Sequence, residues 1–326
     1  MPYARENNLN QELLKGMQMK YSMRNSALLG SVIFALLAGV PAHAQIVAEA
    51  ELARGSKGHF LTEMMINDQG PYTVLVDTAA SATFLMQTTA DALGLSAAGG
   101  HGGMAQTATG QVEITLYNLD SLVFDDLDFG AVRVVGAPAD HPDLAADGVD
   151  AIIGADLLSD YLIEFDQSNG QIRLHESAAE LASSMDDWIE VPVRSGMAGL
   201  LFTDVTVNDA DVSALIDTGA SRVIVNMSTA QVAGYRHGDP RASMDEPLIG
   251  FGGTQSQAFK VTGADLAWGD LSRNDQTITI SETPVFDAIG LSDGPAMIAG
   301  APLFGRRDFV IDYTSLAIWI SPLEVQ

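Results

Sequence analysis

Cysteine is absent from this chain of 326 residues. Its absence excludes disulfides, thiol catalysis and cysteine-ligated metal sites. Positive charge is scarce: 16 Lys and Arg stand against 42 Asp and Glu. A surface of that sign repels nucleic acid and anionic lipid, so neither is an expected partner. Aromatic residues make up 7% and charged residues 18%, against 47% hydrophobic residues. Such a chain can bury a sizeable core and does not have the composition of a disordered one. The six His residues form no HExxH pattern or tight cluster, so zinc is not expected. The acidic stretch from Phe124 to Gly130 lacks the spacing of an EF-hand loop and reads as a solvated turn. No metal or other cofactor is expected.

Long apolar runs are missing too. The run from Ala27 to Val40 has 14 residues, short of the ~20 that span a bilayer. Lys20 and Arg24 precede it, and Ala42-His43-Ala44 follow with small residues at cleavage spacing. Residues 1–44 therefore read as an N-terminal extension and signal peptide, with a mature start near Gln45. The expected location is periplasmic or secreted, with no stable membrane association after cleavage; an uncleaved signal acting as a membrane anchor is the alternative. Without that segment, 12 basic and 40 acidic residues leave a net charge of −28.

What is present is a repeat. Val74-Leu75-Val76-Asp77-Thr78-Ala79-Ala80-Ser81 returns as Ala214-Leu215-Ile216-Asp217-Thr218-Gly219-Ala220-Ser221. Each is an apolar strand running into an Asp-Thr-small-Ala-Ser turn. Ile152-Ile153-Gly154-Ala155 returns as Ile298-Ala299-Gly300-Ala301, followed each time by a short helix-like piece and a strand ending in Asp166 or Asp312. Between these landmarks each half has a glycine-rich turn, 99–103 and 250–253. Four landmarks in one order mark a duplicated fold. β-branched alternation predicts strands at 112–116, 122–124, 132–135 and 277–280, while 61–67 and 201–208 feed the strands that carry the acids. Short helices are expected at 88–93 and 228–233. The first half spans 45–183 and the second 184–326, joined by a polar linker at 177–187.

An Asp at the end of a buried strand is costly unless it is satisfied. Capping a turn through Thr and Ser hydroxyls would satisfy one such Asp. That local role explains less well why both halves keep the acid. The Asp-Thr-Gly-Ala of 217–220, its near copy at 77–80 and the apolar-apolar-Gly elements at 152–154 and 298–300 resemble retropepsin-like aspartic proteases. The duplication resembles the bilobal, single-chain pepsin arrangement, in an exported, bacterial-type form. The resemblance covers about residues 58–322.

The resemblance implies a mainly β fold: two homologous closed β-barrel-like lobes of the acid-protease type, related by a pseudo-two-fold axis. It implies an aspartic endopeptidase in which Asp77 and Asp217 share one proton and activate one water. Thr78, Ala79, Thr218 and Gly219 would support the dyad loops. Flaps near 99–110 and 249–257, with His101, Gly102, Gly103, Phe251, Gly252 and Gly253, would close over an extended peptide. The partner is then a peptide or protein substrate, and one chain carrying both motifs works as a monomer.

Two departures from the family pattern are Ala79, in place of glycine, and the missing hydroxyl at Ala80 and Ala220. The second predicts activity nearer neutral pH than in gastric-type enzymes. Rival readings are a non-cleaving peptide-binding protein, motivated by Ala79, and a glycosidase using the same acids. Asn226-Met227-Ser228 matches a glycosylation sequon but reads better as a helix cap. Ser81 and Ser221 lack a partner His or a nucleophile elbow.

Overall fold

The structure, a computed structural model, describes residues 46–99, 103–178, 181, 185–236 and 238–322. The signal segment, the linker position Ser183, and His101 and Gly102 lie outside the described residues. Residues 44–326 form one compact unit, and its described residues are mainly β with a few short helices. The segments Phe60–Ile66 and Gln69–Val76 pair antiparallel, as do Leu201–Val207 and Ala210–Asp217. In each pair the second strand delivers the motif Asp.

The second half closes into a six-stranded ring. Its order is Leu201–Val207, Ala210–Asp217, Ala296–Gly300, Val223–Val225, Leu271–Ile280 and Phe259–Trp268, and the last strand pairs back onto the first through Thr206 and Val207. The first half follows the same order but is not closed by one long strand. There the chain breaks at Asp120 and Ser121, so Thr115–Leu119 pairs with Val132–Ala137 while Leu122–Phe124 pairs with Phe60–Ile66. The side-chain Oδ1 of Asn67 accepts from the amides of both break residues, at 2.7 and 3.2 Å. The expectation of two closed barrels therefore holds for one lobe, and the other is interrupted where the ladder turns.

The sequence-predicted elements fall close to those observed, with two revisions. Residues 112–116 are not one strand: Gly110–Glu113 belongs to a hairpin with Met104–Thr107, and Thr115–Leu119 starts the next sheet strand. The strand expected at 277–280 runs from Leu271 to Ile280. Helices form at Gln87–Ala92 and Met227–Val232. Asn226 is the N-cap of the second, its Oδ1 accepting from Thr229 N at 2.9 Å with the residue 4% exposed.

The two halves share a third sheet, ordered Ile46–Glu51, Gln171–His175, Leu162–Asp166, Phe309–Asp312, Ala317–Ile320 and Ile189–Pro192. Leu162–Asp166 and Phe309–Asp312 are equivalent in the repeat, and they pair antiparallel with Glu164 opposite Val310 and Ile163 opposite Ile311. Glu164 and Val310 are themselves repeat-equivalent, so the pseudo-two-fold axis passes through that pair. Beneath it runs a file of buried rings. Phe165 and Phe309 stack at 4.3 Å, Phe60 sits 4.9 Å from Phe165, and Phe304 sits 4.0 Å from Phe309. The core of each lobe thus continues into the sheet that joins them.

Candidate active site

The axis brings the two Asp turns face to face. Thr78 Oγ1 donates to Ile216 O and Thr218 Oγ1 donates to Val76 O, at 3.1 and 2.7 Å. Each hydroxyl also accepts from the opposite Thr amide at 3.1 Å. Both threonines are wholly buried, so these four bonds are shielded from competing water and fix one turn against the other. Behind each turn lies its apolar-Gly element. Ala151–Ile153 runs parallel to Gln69–Val76, and Ala296–Gly300 parallel to Ala210–Asp217. A Cβ on Gly154 would come within 2.6 Å of Ala80 O, and one on Gly300 within 2.7 Å of Ala220 O. Those glycines are required by close approach of backbone to backbone.

Asp77 Oδ1 accepts from the amides of Ala79 and Ala80, at 2.8 and 3.0 Å. Asp217 Oδ1 accepts from Ala220 N at 2.8 Å. The two carboxyls sit close enough for each to act on the other's acidity, and both are half-buried at the floor of a cleft. Burial pushes the Asp77 carboxyl up to about 6, against the pull of its two amide donors. Burial raises Asp217 further above the ordinary carboxyl range, with the Asp77 charge adding to the effect. The pair therefore keeps one proton across neutral pH.

The departure at Ala79 has a local answer. Its backbone does not adopt positive φ, and its methyl packs against the cluster of Leu200, Phe202 and Leu215. Its amide still reaches Asp77. Gly219 is different: a Cβ there would lie 2.5 and 2.8 Å from the two Asp77 carboxylate oxygens.

Above the acids is a cleft of about 490 Å³, lined from both halves. Its roof is two hairpins. One is Met104–Thr107 with Gly110–Glu113; the other is Leu248–Ile249 with Gln255–Ser256. Thr109 Oγ1 lies 3.0 Å from Thr254 O and 2.7 Å from Thr254 Oγ1, and Thr283 Oγ1 bonds Ala108 O, so the hairpins meet over the cleft. Phe251 lines it and stacks over Phe84 at 6.4 Å, while Gly252 N donates to Asp140 Oδ1 at 3.0 Å. Gly252 and Gly253 form the turn of the second hairpin at positive φ. Gly103 lies at the base of the first hairpin, its carbonyl accepting from Ile114 N at 2.9 Å. Among the described residues of the first hairpin, Gln106, Thr107 and Ala108 line the cleft. His59, His141 and Asp143 also line the cleft, and no sequence motif marked them.

A duplicated, bilobal β fold with paired aspartates on its pseudo-two-fold axis defines an acid-protease architecture. The aspartyl protease family model matches residues 62–157 and again 203–302, and the chain belongs to that family. No curated protein matches the chain. Among solved structures, basic 7S globulin from soybean is similar at 12% identity and a TM-score of 0.47, covering 86% of this chain and 96% of that one.

Proposed function

We propose that the chain is an aspartic endopeptidase in which Asp77 and Asp217 hydrolyse a peptide bond through one activated water. The observation that carries this reading is that the two Asp turns, each braced by the other's threonine, bring Asp77 and Asp217 together at the floor of one cleft. Asp77, whose carboxylate accepts from two amides, takes a proton from the water as it attacks the scissile carbonyl. Asp217, holding its proton, donates to the carbonyl oxygen; a later transfer to the nitrogen expels the amine. Neither a covalent intermediate nor a metal is required. The substrate is an extended peptide whose main chain pairs with the roof hairpins. The accommodation of Ala79 leaves the non-cleaving reading without its motive. Export to the periplasm or beyond is part of the proposal and rests on residues 20–44.

The pH profile tests it. Asp77 must be ionised to act as base, so kcat/KM should rise through about pH 6. It should fall only where Asp217 loses its proton, well above the ordinary carboxyl range. A profile peaking below about pH 4, the ordinary carboxyl range, contradicts this assignment.

A further inference from the structure

The cleft has two wings, one per lobe, and the repeat allows them to be compared position by position. Val149 N donates to Leu144 O, and Leu291 N to Phe286 O, at 2.9 and 2.8 Å. Gly148 and Gly290 both take positive φ in the intervening turns. These matches fix an offset under which Asp143 is equivalent to Val285 and His141 to Thr283. All four line the cleft. The floors of both wings are apolar: Leu75, Phe84 and Ile152 on one side, Leu215, Ile224 and Ile298 on the other. Only the first-lobe wing carries a carboxylate at this place.

The neighbouring acids on that segment are already engaged. Asp140 accepts from Gly252 N at 3.0 Å, and Asp147 accepts from Ser56 N at 2.8 Å and sits 3.5 Å from His59 Nδ1. Asp143 has no hydrogen bond or ion pair to its side chain among the described residues. His59 does not neutralise it: burial pushes that imidazole below its ordinary range, outweighing the pull of Asp147. His141 Nε2 lies 2.9 Å from Ile249 O and so carries the proton, which makes Nδ1 an acceptor. That Nδ1 is buried with no partner. The first-lobe wing therefore presents one unspent acceptor, the Asp143 carboxylate, above an apolar floor. In the second wing Arg222 is satisfied by Asp245 and by Glu246 O, at 3.3 and 2.9 Å.

Resting on the peptidase reading, we propose that the two wings read different side chains. The first-lobe wing takes a long basic residue, its stem on Leu75 and Ile152 and its cationic head on Asp143. The second-lobe wing takes an apolar residue. Cleavage is then directed to bonds with lysine or arginine on one fixed side and an apolar residue on the other. The net negative charge of the protein favours such substrates at encounter.

The test is cleavage of a peptide library, followed by kinetics on a matched Lys and Leu pair. The wild type should show basic residues enriched on one side of the cut. It should prefer the Lys peptide by ~10-fold, the scale of one charge-assisted hydrogen bond. That ratio should collapse in Asp143→Asn and shift toward a Glu peptide in Asp143→Lys. Cleavage without enrichment of basic residues overturns the inference and leaves the dyad reading standing. If no peptide is cut, the hydrolase reading fails. The same Lys and Leu peptides are then titrated for binding: tighter binding of Lys, weakened in Asp143→Asn, supports the wing assignment, and equal binding overturns it.

Discussion

Gly219 and Ala79 occupy equivalent places in the two Asp turns, yet only one of them has to be glycine. Neither needs positive φ, so the constraint at 219 is space. A methyl there meets the Asp77 carboxylate, whereas the methyl of Ala79 finds an apolar cluster. Gly219→Ala should lower kcat by at least ~10²-fold, the cost of displacing a reacting group by about an ångström. Ala79→Gly should stay within a few-fold of wild type and lose only ~0.5–1 kcal/mol of stability through backbone entropy. Steady-state kinetics on the two variants, with a melting curve for each, checks this; equal effects would remove the asymmetry. The acids themselves were legible in the sequence because an ionisable residue recurs after two apolar strands, which folding alone does not demand. Asp143 and His59 were not. They reach the cleft by tertiary packing, and Asp143 has a valine as its repeat equivalent, so no repetition marks it.

At the scale of elements, β-branched alternation located strands, but 112–116 proved to be parts of two and 277–280 the end of a strand that begins at Leu271. The roof was harder. Glycine-rich turns at 99–103 and 250–253 look equivalent in sequence, but the first precedes its hairpin and the second forms a tip. Hairpin register is set by cross-strand pairing, here Met104 with Glu113 and Thr107 with Gly110, and glycine content alone does not report it. The meeting of Thr109 with Thr254 also joins residues 145 apart in sequence. Thr109→Val removes that contact at little cost in volume. Amide exchange in residues 104–113 should then speed up by ~3–10-fold, as expected for one hydrogen bond, with the melting temperature little changed. Unchanged exchange would mean the hairpins are held independently of each other.

The whole molecule is built so that neither lobe holds a complete site. Each Asp turn is braced by the threonine of the other, and the shared sheet sets three strands of one half beside three of the other, joined at the Glu164–Val310 pair. The repeat made this pairing readable, but the interruption at Asp120 and Ser121 was not, because it depends on where one barrel's ladder stops. The same arrangement holds two carboxyls above their ordinary acidity range. A carboxyl raised in the folded state adds stability below its unfolded value of 3.8, and loses it as pH rises through about 6 for Asp77. The most direct measurement is therefore peptide cleavage by Asp77→Asn and Asp217→Asn at about pH 7, with thermal melts of both as a check on folding. Each single variant should lose at least ~10³-fold in kcat; Asp77→Asn should melt at or above the wild-type temperature, since it removes a charge, and Asp217→Asn close to it, since it replaces a neutral carboxyl. Cleavage that survives in either well-folded variant would contradict the shared dyad.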